Sequence, residues 1–248
     1  MSEDVTDGDR GMSEDDRTGR GADGVALIGH RGCAAQYPEN TVAAIARASP
    51  HVDAVEVDVR RCGSGELVVC HDAELDRLTG VTGRVADTDW DELRELTVLD
   101  SDEPIPRLGE ALAAVPDGTA VNVELKEAAV AADALEVARG ADAAVWFSSF
   151  LSGALESLRE RAPETDRALL VADSGPERAV GRAVDLGCVA VHPAIDLATE
   201  PGYVEAAHEA GLAVNAWTAV DGADAARLLR AGVDGVIADR WDVFGDRD

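Results

Sequence analysis

From Val25 onward, short apolar runs alternate with alanine-rich amphipathic stretches, and this alternation leaves few architectures open. An apolar run followed by helical spacing reads as a strand-helix unit, and repeated units line up their strands in one parallel sheet with helices outside it. Eight such runs fall at residues 25–29, 54–59, 120–125, 144–149, 168–171, 189–192, 213–217 and 235–238. Eight parallel strands close on themselves, so the expected fold class is α/β, a TIM (β/α)8 barrel. A chain of 248 residues suits one such domain.

A further run, Glu66 to Cys70, follows the second strand after only residues 61–65. A parallel neighbour needs a crossover of about a dozen residues, so this run is expected to return antiparallel as a hairpin arm. Residues 72–107, with Trp90, several turn residues and the pair Pro104 and Pro106, read as a small insertion after that hairpin, beside the barrel mouth. Residues 1–23 hold many acids and glycines and almost no large apolar side chains. They are expected to form a disordered acidic tail, leaving residues 24–248 as the barrel domain. The string MSED at Met1 recurs at Met12 and leaves the translation start open between the two.

Charge narrows the partners. Against 49 acidic residues stand 22 Lys and Arg, a formal net charge of -27, which repels nucleic-acid phosphates and anionic membranes at long range. Nucleic acid is therefore not an expected partner. Self-repulsion on this scale is relieved when salt shortens the Debye length to about 3 Å at 1 M, so a halophilic adaptation is expected. The cysteines Cys33, Cys62, Cys70 and Cys188 form neither a Cys-x-x-Cys pair nor a zinc spacing, and no apolar segment opens the chain. Reduced thiols and a cytoplasmic location are expected. No run approaches the ~20 apolar residues that span a bilayer, so no stable membrane insertion is expected.

Chemistry-bearing residues gather at the predicted strand ends. The first strand ends in Ile28-Gly29-His30-Arg31-Gly32. His30 can exchange a proton near neutral pH, and the Arg31 fork can grip two phosphate oxygens. Pro38 to Thr41 read as a turn and a helix cap. On the second strand Glu56 and Asp58 lie two apart and share a face, and buried acids need a cation. Glu124 ends the third strand, and three hard carboxylate ligands suit one divalent ion, Mg²⁺ or Ca²⁺. Lys126 is the only lysine in the chain, on the side of Glu124, where it would reach a phosphate oxygen or neutralise the acids. His71, at the end of the hairpin arm, brings a second imidazole to the mouth, and two histidines flanking a phosphorus permit acid and base roles. Trp217, at the end of the seventh strand, offers a flat apolar face to a substrate, or to the core. His51 and His208 receive no role, His192 is left unassigned with a packed or hydrogen-bonded structural part preferred, and Asp239 stands between orienting another group and capping.

His30-Arg31-Gly32, Pro38-Glu39-Asn40-Thr41, Glu56-x-Asp58, His71-Asp72, Glu124-Leu125-Lys126, Trp217-Thr218 and Gly232-Val233-Asp234-Gly235 together resemble the glycerophosphodiester phosphodiesterase family in order and spacing, from about residue 25 to the C-terminus. The resemblance implies a barrel with a small insertion, a divalent metal on Glu56, Asp58 and Glu124, and catalysis by His30 and His71. It implies a small glycerophosphodiester substrate, with Arg31, Lys126 and Trp217 binding it. It also implies hydrolysis to an alcohol and glycerol phosphate through a cyclic phosphate. The residues 33–37 and 219–221 depart from the family pattern and bear on alcohol specificity.

Two other readings compete: a related barrel phosphodiesterase acting on intact phospholipid, and a non-catalytic barrel that binds metal and phosphodiester. With 4% aromatic residues and no basic amphipathic helix, the chain offers little for membrane docking. Sedimentation with liposomes checks this: the protein is expected to stay in the supernatant, and co-sedimentation would favour the phospholipid reading.

Overall fold

The computed structural model describes residues 24–245, so the expected acidic tail at residues 1–23 lies outside the described residues. The strands are β1 (Ala26–Gly29), β2 (Ala54–Arg61), β3 (Leu67–Val69), β4 (Ala120–Leu125), β5 (Val145–Ser149), β6 (Arg167–Val171), β7 (Ala190–Pro193), β8 (Ala213–Ala219) and β9 (Gly235–Ala238). Their order is β1-β9-β8-β7-β6-β5-β4-β2-β3, and a β1–β2 pairing closes the ring. Apart from β3, every pairing is parallel, so eight strands form a closed barrel with helices between them, a TIM barrel. β3 pairs antiparallel with β2, as its short connection demands, and this pairing carries β2 past Val59 to Arg61.

Alternation along each strand sorts side chains into two environments. Val55, Val57 and Val59 of β2, Val121, Val123 and Leu125 of β4, and Phe147 of β5 belong to the large apolar core shared with the helices. Inside the ring a much smaller cluster, Ile28, Ala54 and Ile237, packs with Ala120, Trp146 and Trp217. The remaining inward positions include Glu56, Asp58, Asn122, Glu124 and Ser148, all buried. The barrel therefore owes its stability to its outer apolar layer, and its interior is free to hold polar groups.

The stretch 72–107 is more ordered than an irregular insertion. It contains helical turns at Asp76–Thr79 and Trp90–Leu93 and buries Leu75, Leu78, Val85, Leu93, Val98 and Ile105 against Cys62, Val68 and Cys70 of the hairpin. This second core anchors β3, and with it His71, above the barrel. All four cysteines are buried free thiols, and burial pushes Cys33 and Cys70 up to about 12. No described helix is long and apolar enough to cross a membrane.

The loop after β1 is held by close packing on the first helix, Val42–Ala48. Gly32 sits at φ +75°, and a Cβ there would lie 2.9 Å from the Ala44 Cβ and 3.1 Å from the Ile45 nitrogen. Gly32→Ala should cost about 2 kcal/mol or more, through both left-handed strain and overpacking. Urea unfolding checks this, and an unchanged midpoint would contradict the packing account.

Candidate active site

Strand register assembles the site at the carboxyl ends of β1, β2, β4 and β9. Asp58 pairs across to Glu124, and Glu56 to Asn122, so inward acids from two neighbouring strands converge. One oxygen from each of Glu56, Asp58 and Glu124 lies within 4.8 Å of the others, and all three residues are buried. The predicted ligand triad is thus brought together.

Each acid has its own arrangement of cations and amides. The Arg31 backbone N–H donates to Glu56 Oε2 at 2.9 Å, while Glu56 Oε1 is buried with no hydrogen-bond partner. Lys126 Nζ lies 2.8 Å from Asp58 Oδ1 and also bonds Glu124. Arg31 Nε stands 3.3 Å from Asp58 Oδ2. The electrostatics follow. Burial pushes Asp58 up, but Lys126 and Arg31 outweigh it and hold its carboxyl well below the usual range. Burial raises Lys126's neighbours too: Glu124 is pushed up, first by desolvation and then by Asp58. Glu56, desolvated and beside Asp58 with no cation in direct contact, is pushed up to about 8. A hard-oxygen cluster with one unpartnered oxygen and a carboxyl that resists ionising fits a divalent cation.

Pro38 to Thr41 do more than turn and cap. Thr41 is the cap, its hydroxyl accepting from the Ala44 N–H at 3.1 Å. Asn40, however, clamps Asp58: its amide donates to Asp58 Oδ2 at 2.8 Å and its carbonyl accepts from the Asp58 N–H at 3.2 Å. Glu39 accepts from Arg31 Nη1 at 2.9 Å. A second capping-type residue, Asn40, beside Thr41, which already caps, was the available signal.

Both predicted histidines line one cavity of about 190 Å³, together with Arg31, Glu56, Glu124, Lys126 and Trp217. His30 Nδ1 lies 2.6 Å from Asp239 Oδ1, and His71 Nδ1 lies 2.7 Å from Asp72 Oδ1. A carboxylate at Nδ1 fixes the proton there and leaves Nε2 for chemistry. Asp239, from the end of β9, therefore orients His30. The two rings differ in charge preference. Burial pulls His30 down, but the Asp239 hydrogen bond and the Glu56 field overcome it, and the net shift is upward. Burial also pulls His71 down, and there Asp58 and Asp72 only partly offset it, so the net shift is downward.

The cavity has an apolar side. Trp217 meets Phe150 edge-on, with ring centroids 5.6 Å apart, and its indole N–H donates to the His192 carbonyl at 2.8 Å. The His192 ring is fully buried, 3.1 Å from the Asn215 amide, and desolvation lowers it to about 3. It is a neutral structural histidine. His51 stacks on Trp241, and His208 bonds Asp234 at 2.7 Å.

The family model for the glycerophosphoryl diester phosphodiesterase family matches residues 30–243. A glycerophosphodiester phosphodiesterase of Caldanaerobacter subterraneus subsp. tengcongensis is 31% identical, the match covering 86% of this chain and 93% of the relative. A probable glycerophosphodiester phosphodiesterase 2 of Mycobacterium tuberculosis is 30% identical, covering 90% of each chain. Among solved structures, an Oleispira antarctica phosphodiesterase in complex with the product sn-glycerol-3-phosphate superposes with a TM-score of 0.82 at 31% identity, over 88% of this chain and 95% of that one. A Thermotoga maritima glycerophosphodiester phosphodiesterase gives 0.77 at 31% identity, over 89% and 96%.

Glu56 generates a prediction about pH. Its folded-state pKa of about 8 stands above the ordinary carboxyl value, so proton binding favours the folded state. That stability is complete below the ordinary value and is lost as pH rises through about 8. Thermal unfolding of metal-stripped protein should show a midpoint falling from about pH 6 to about pH 9, and Mg²⁺ or Ca²⁺ should raise it most at the upper end. A midpoint indifferent to both ions at the upper end would contradict the assignment.

Proposed function

The chain belongs to the glycerophosphoryl diester phosphodiesterase family and is a phosphoric diester hydrolase, and on that premise we propose that it cleaves glycerophosphodiesters to an alcohol and glycerol phosphate by histidine acid-base catalysis assisted by one divalent ion. The observation that carries this reading is the pair of histidines facing one cavity with Glu56 and Glu124 of the buried triad, each histidine held at Nδ1 by a carboxylate. The product complex of the Oleispira antarctica enzyme supports glycerol phosphate as the product here.

Glu56, Asp58 and Glu124 would hold the ion, which when bound supplies positive charge that lowers the pKa of a nearby hydroxyl and balances charge developing on the phosphoryl group. The protein's own residues do the rest. Arg31 and Lys126 line the cavity with fixed cations and attract the phosphodiester locally, although the net charge of the chain is strongly negative. Trp217 and Phe150 give the carbon skeleton an apolar wall.

His71, biased toward its neutral form, accepts a proton at Nε2 from the glycerol hydroxyl next to the diester. The oxygen so freed bonds to phosphorus while the bond from phosphorus to the alcohol oxygen breaks. His30, biased toward its charged form, gives its Nε2 proton to that departing oxygen. The cyclic phosphate is then opened by water, with His30 now taking the water proton and His71 returning its own to the ring oxygen that leaves. Atoms and protons balance over the two halves, and each imidazole ends as it began.

Release of glycerol phosphate from glycerophosphocholine, with Mg²⁺ or Ca²⁺ present and salt high, tests the reading. His30→Ala and His71→Ala are each expected to lower kcat by about 10²- to 10⁴-fold. An inactive wild-type protein, or a His30→Ala protein with an unchanged rate, would overturn it.

A further inference from the structure

Arg77 sits on the helical turn Asp76–Thr79 of the insertion and is not among the residues that line the cavity. Each of its three guanidinium nitrogens is nevertheless engaged. Nε donates to Asp72 Oδ2 at 2.6 Å, while Nη1 and Nη2 donate to Glu39 Oε2 and Oε1, each at 2.8 Å. Asp72 offers its other oxygen to His71 Nδ1 at 2.7 Å. Glu39 in turn holds Arg31, and Arg31 leans on Asp58 of the triad.

We propose that Arg77 is a positioning residue for the diesterase reaction: it fixes Asp72, and through Asp72 the ring of His71, to the same Glu39 that braces Arg31 against the carboxylate triad. The proposal rests on the function proposed above. Its physical basis is geometric. Most half-exposed ion pairs contribute little, because two flexible chains must be held in one arrangement against solvent screening. Here the partner Glu39 is only 8% exposed and takes both terminal nitrogens of a planar fork, so the guanidinium is immobilised before it meets Asp72. The third N–H then sets the rotamer of Asp72, and Asp72 sets the plane of the imidazole.

Without Arg77, Asp72 would keep only His71 as a side-chain partner, and nothing would tie the insertion's carboxylate to the barrel's. The ring could then swing with the Asp72 side chain, and a displacement of about 1 Å at a reacting nitrogen costs about 10²-fold. Lysine cannot substitute, since one ammonium cannot present three donors in the plane that spans both carboxylates. The insertion thus supplies the aim of the second histidine as well as the histidine's attachment, and its small apolar core keeps the turn carrying Arg77 in place.

The test is steady-state kinetics on the full chain with glycerophosphocholine and saturating Mg²⁺ or Ca²⁺, comparing Arg77→Met, Arg77→Lys, Asp72→Asn and the double variant Asp72→Asn/Arg77→Met. Both Arg77 variants are expected to lose about 10- to 100-fold in kcat, the range typical of groups that orient a functional side chain. KM should change by less than about threefold, because Arg77 does not line the cavity. The double variant should fall within about threefold of Asp72→Asn alone, because both changes remove the same support. A wild-type kcat in Arg77→Lys, or losses that multiply in the double variant, would overturn the proposal. A magnetic-resonance measurement separates it from the diesterase reading itself. The His71 Nδ1 proton, held by Asp72 in the wild type, is expected to lose its protection from solvent exchange in Arg77→Met, with or without substrate. If the wild type releases no product the diesterase reading fails, and the ring proton still decides whether Arg77 aims His71: retained protection overturns the positioning role.

Discussion

Everything at the mouth of this barrel follows from placing three buried carboxylates side by side inside the ring. Isolated anions there are prohibitively costly, so the fold surrounds them with positive charge and N–H donors. Lys126 takes Asp58 and Glu124, Arg31 takes Asp58 by its side chain and Glu56 by its backbone, and Asn40 clamps Asp58 from the first loop. Arg31 is in turn held by Glu39, and Glu39 by Arg77. Through Arg77 and Asp72 the compensation reaches outward until it meets His71. It remains incomplete at Glu56, whose unpartnered oxygen and raised pKa mark where further positive charge belongs.

This arrangement explains why so acidic a chain can act on an anion. Long-range repulsion is a property of the surface, where salt screens it, whereas in the proposed function the substrate would meet Arg31 and Lys126, which line a cavity with low-dielectric walls. The two-layer construction makes it affordable in stability, because Val55, Val57 and Val59 on the outer face of β2 pack into the helices while Glu56 and Asp58 point inward from the same strand. Alternation within one segment thus serves stability and chemistry at once.

The same alternation is what made the site legible in the sequence. Period-two spacing put Glu56 with Asp58 and Glu124 with Lys126 on one face, and the short link from β2 to β3 required the hairpin that carries His71. What the sequence hid are pairings created by closure of the ring. His30 and Asp239 are 209 positions apart and meet because β1 pairs with β9. Asn40 has the residue type and place of a cap, and only the fold brings its amide to Asp58. The insertion read as irregular because its helices are single turns and its apolar residues are dispersed, with no period to detect.

The central claim is that the triad is a divalent-cation site whose missing charge is felt at Glu56. Calorimetric titration of Mg²⁺ or Ca²⁺ into metal-stripped wild-type protein and Glu56→Gln tests it directly, since that substitution leaves the ion pairs of Lys126 with Asp58 and Glu124 in place. The account predicts one ion bound per chain in the wild type and an affinity at least about tenfold weaker in the variant. No binding of either ion by the folded wild type, or equal binding by both proteins, would contradict it.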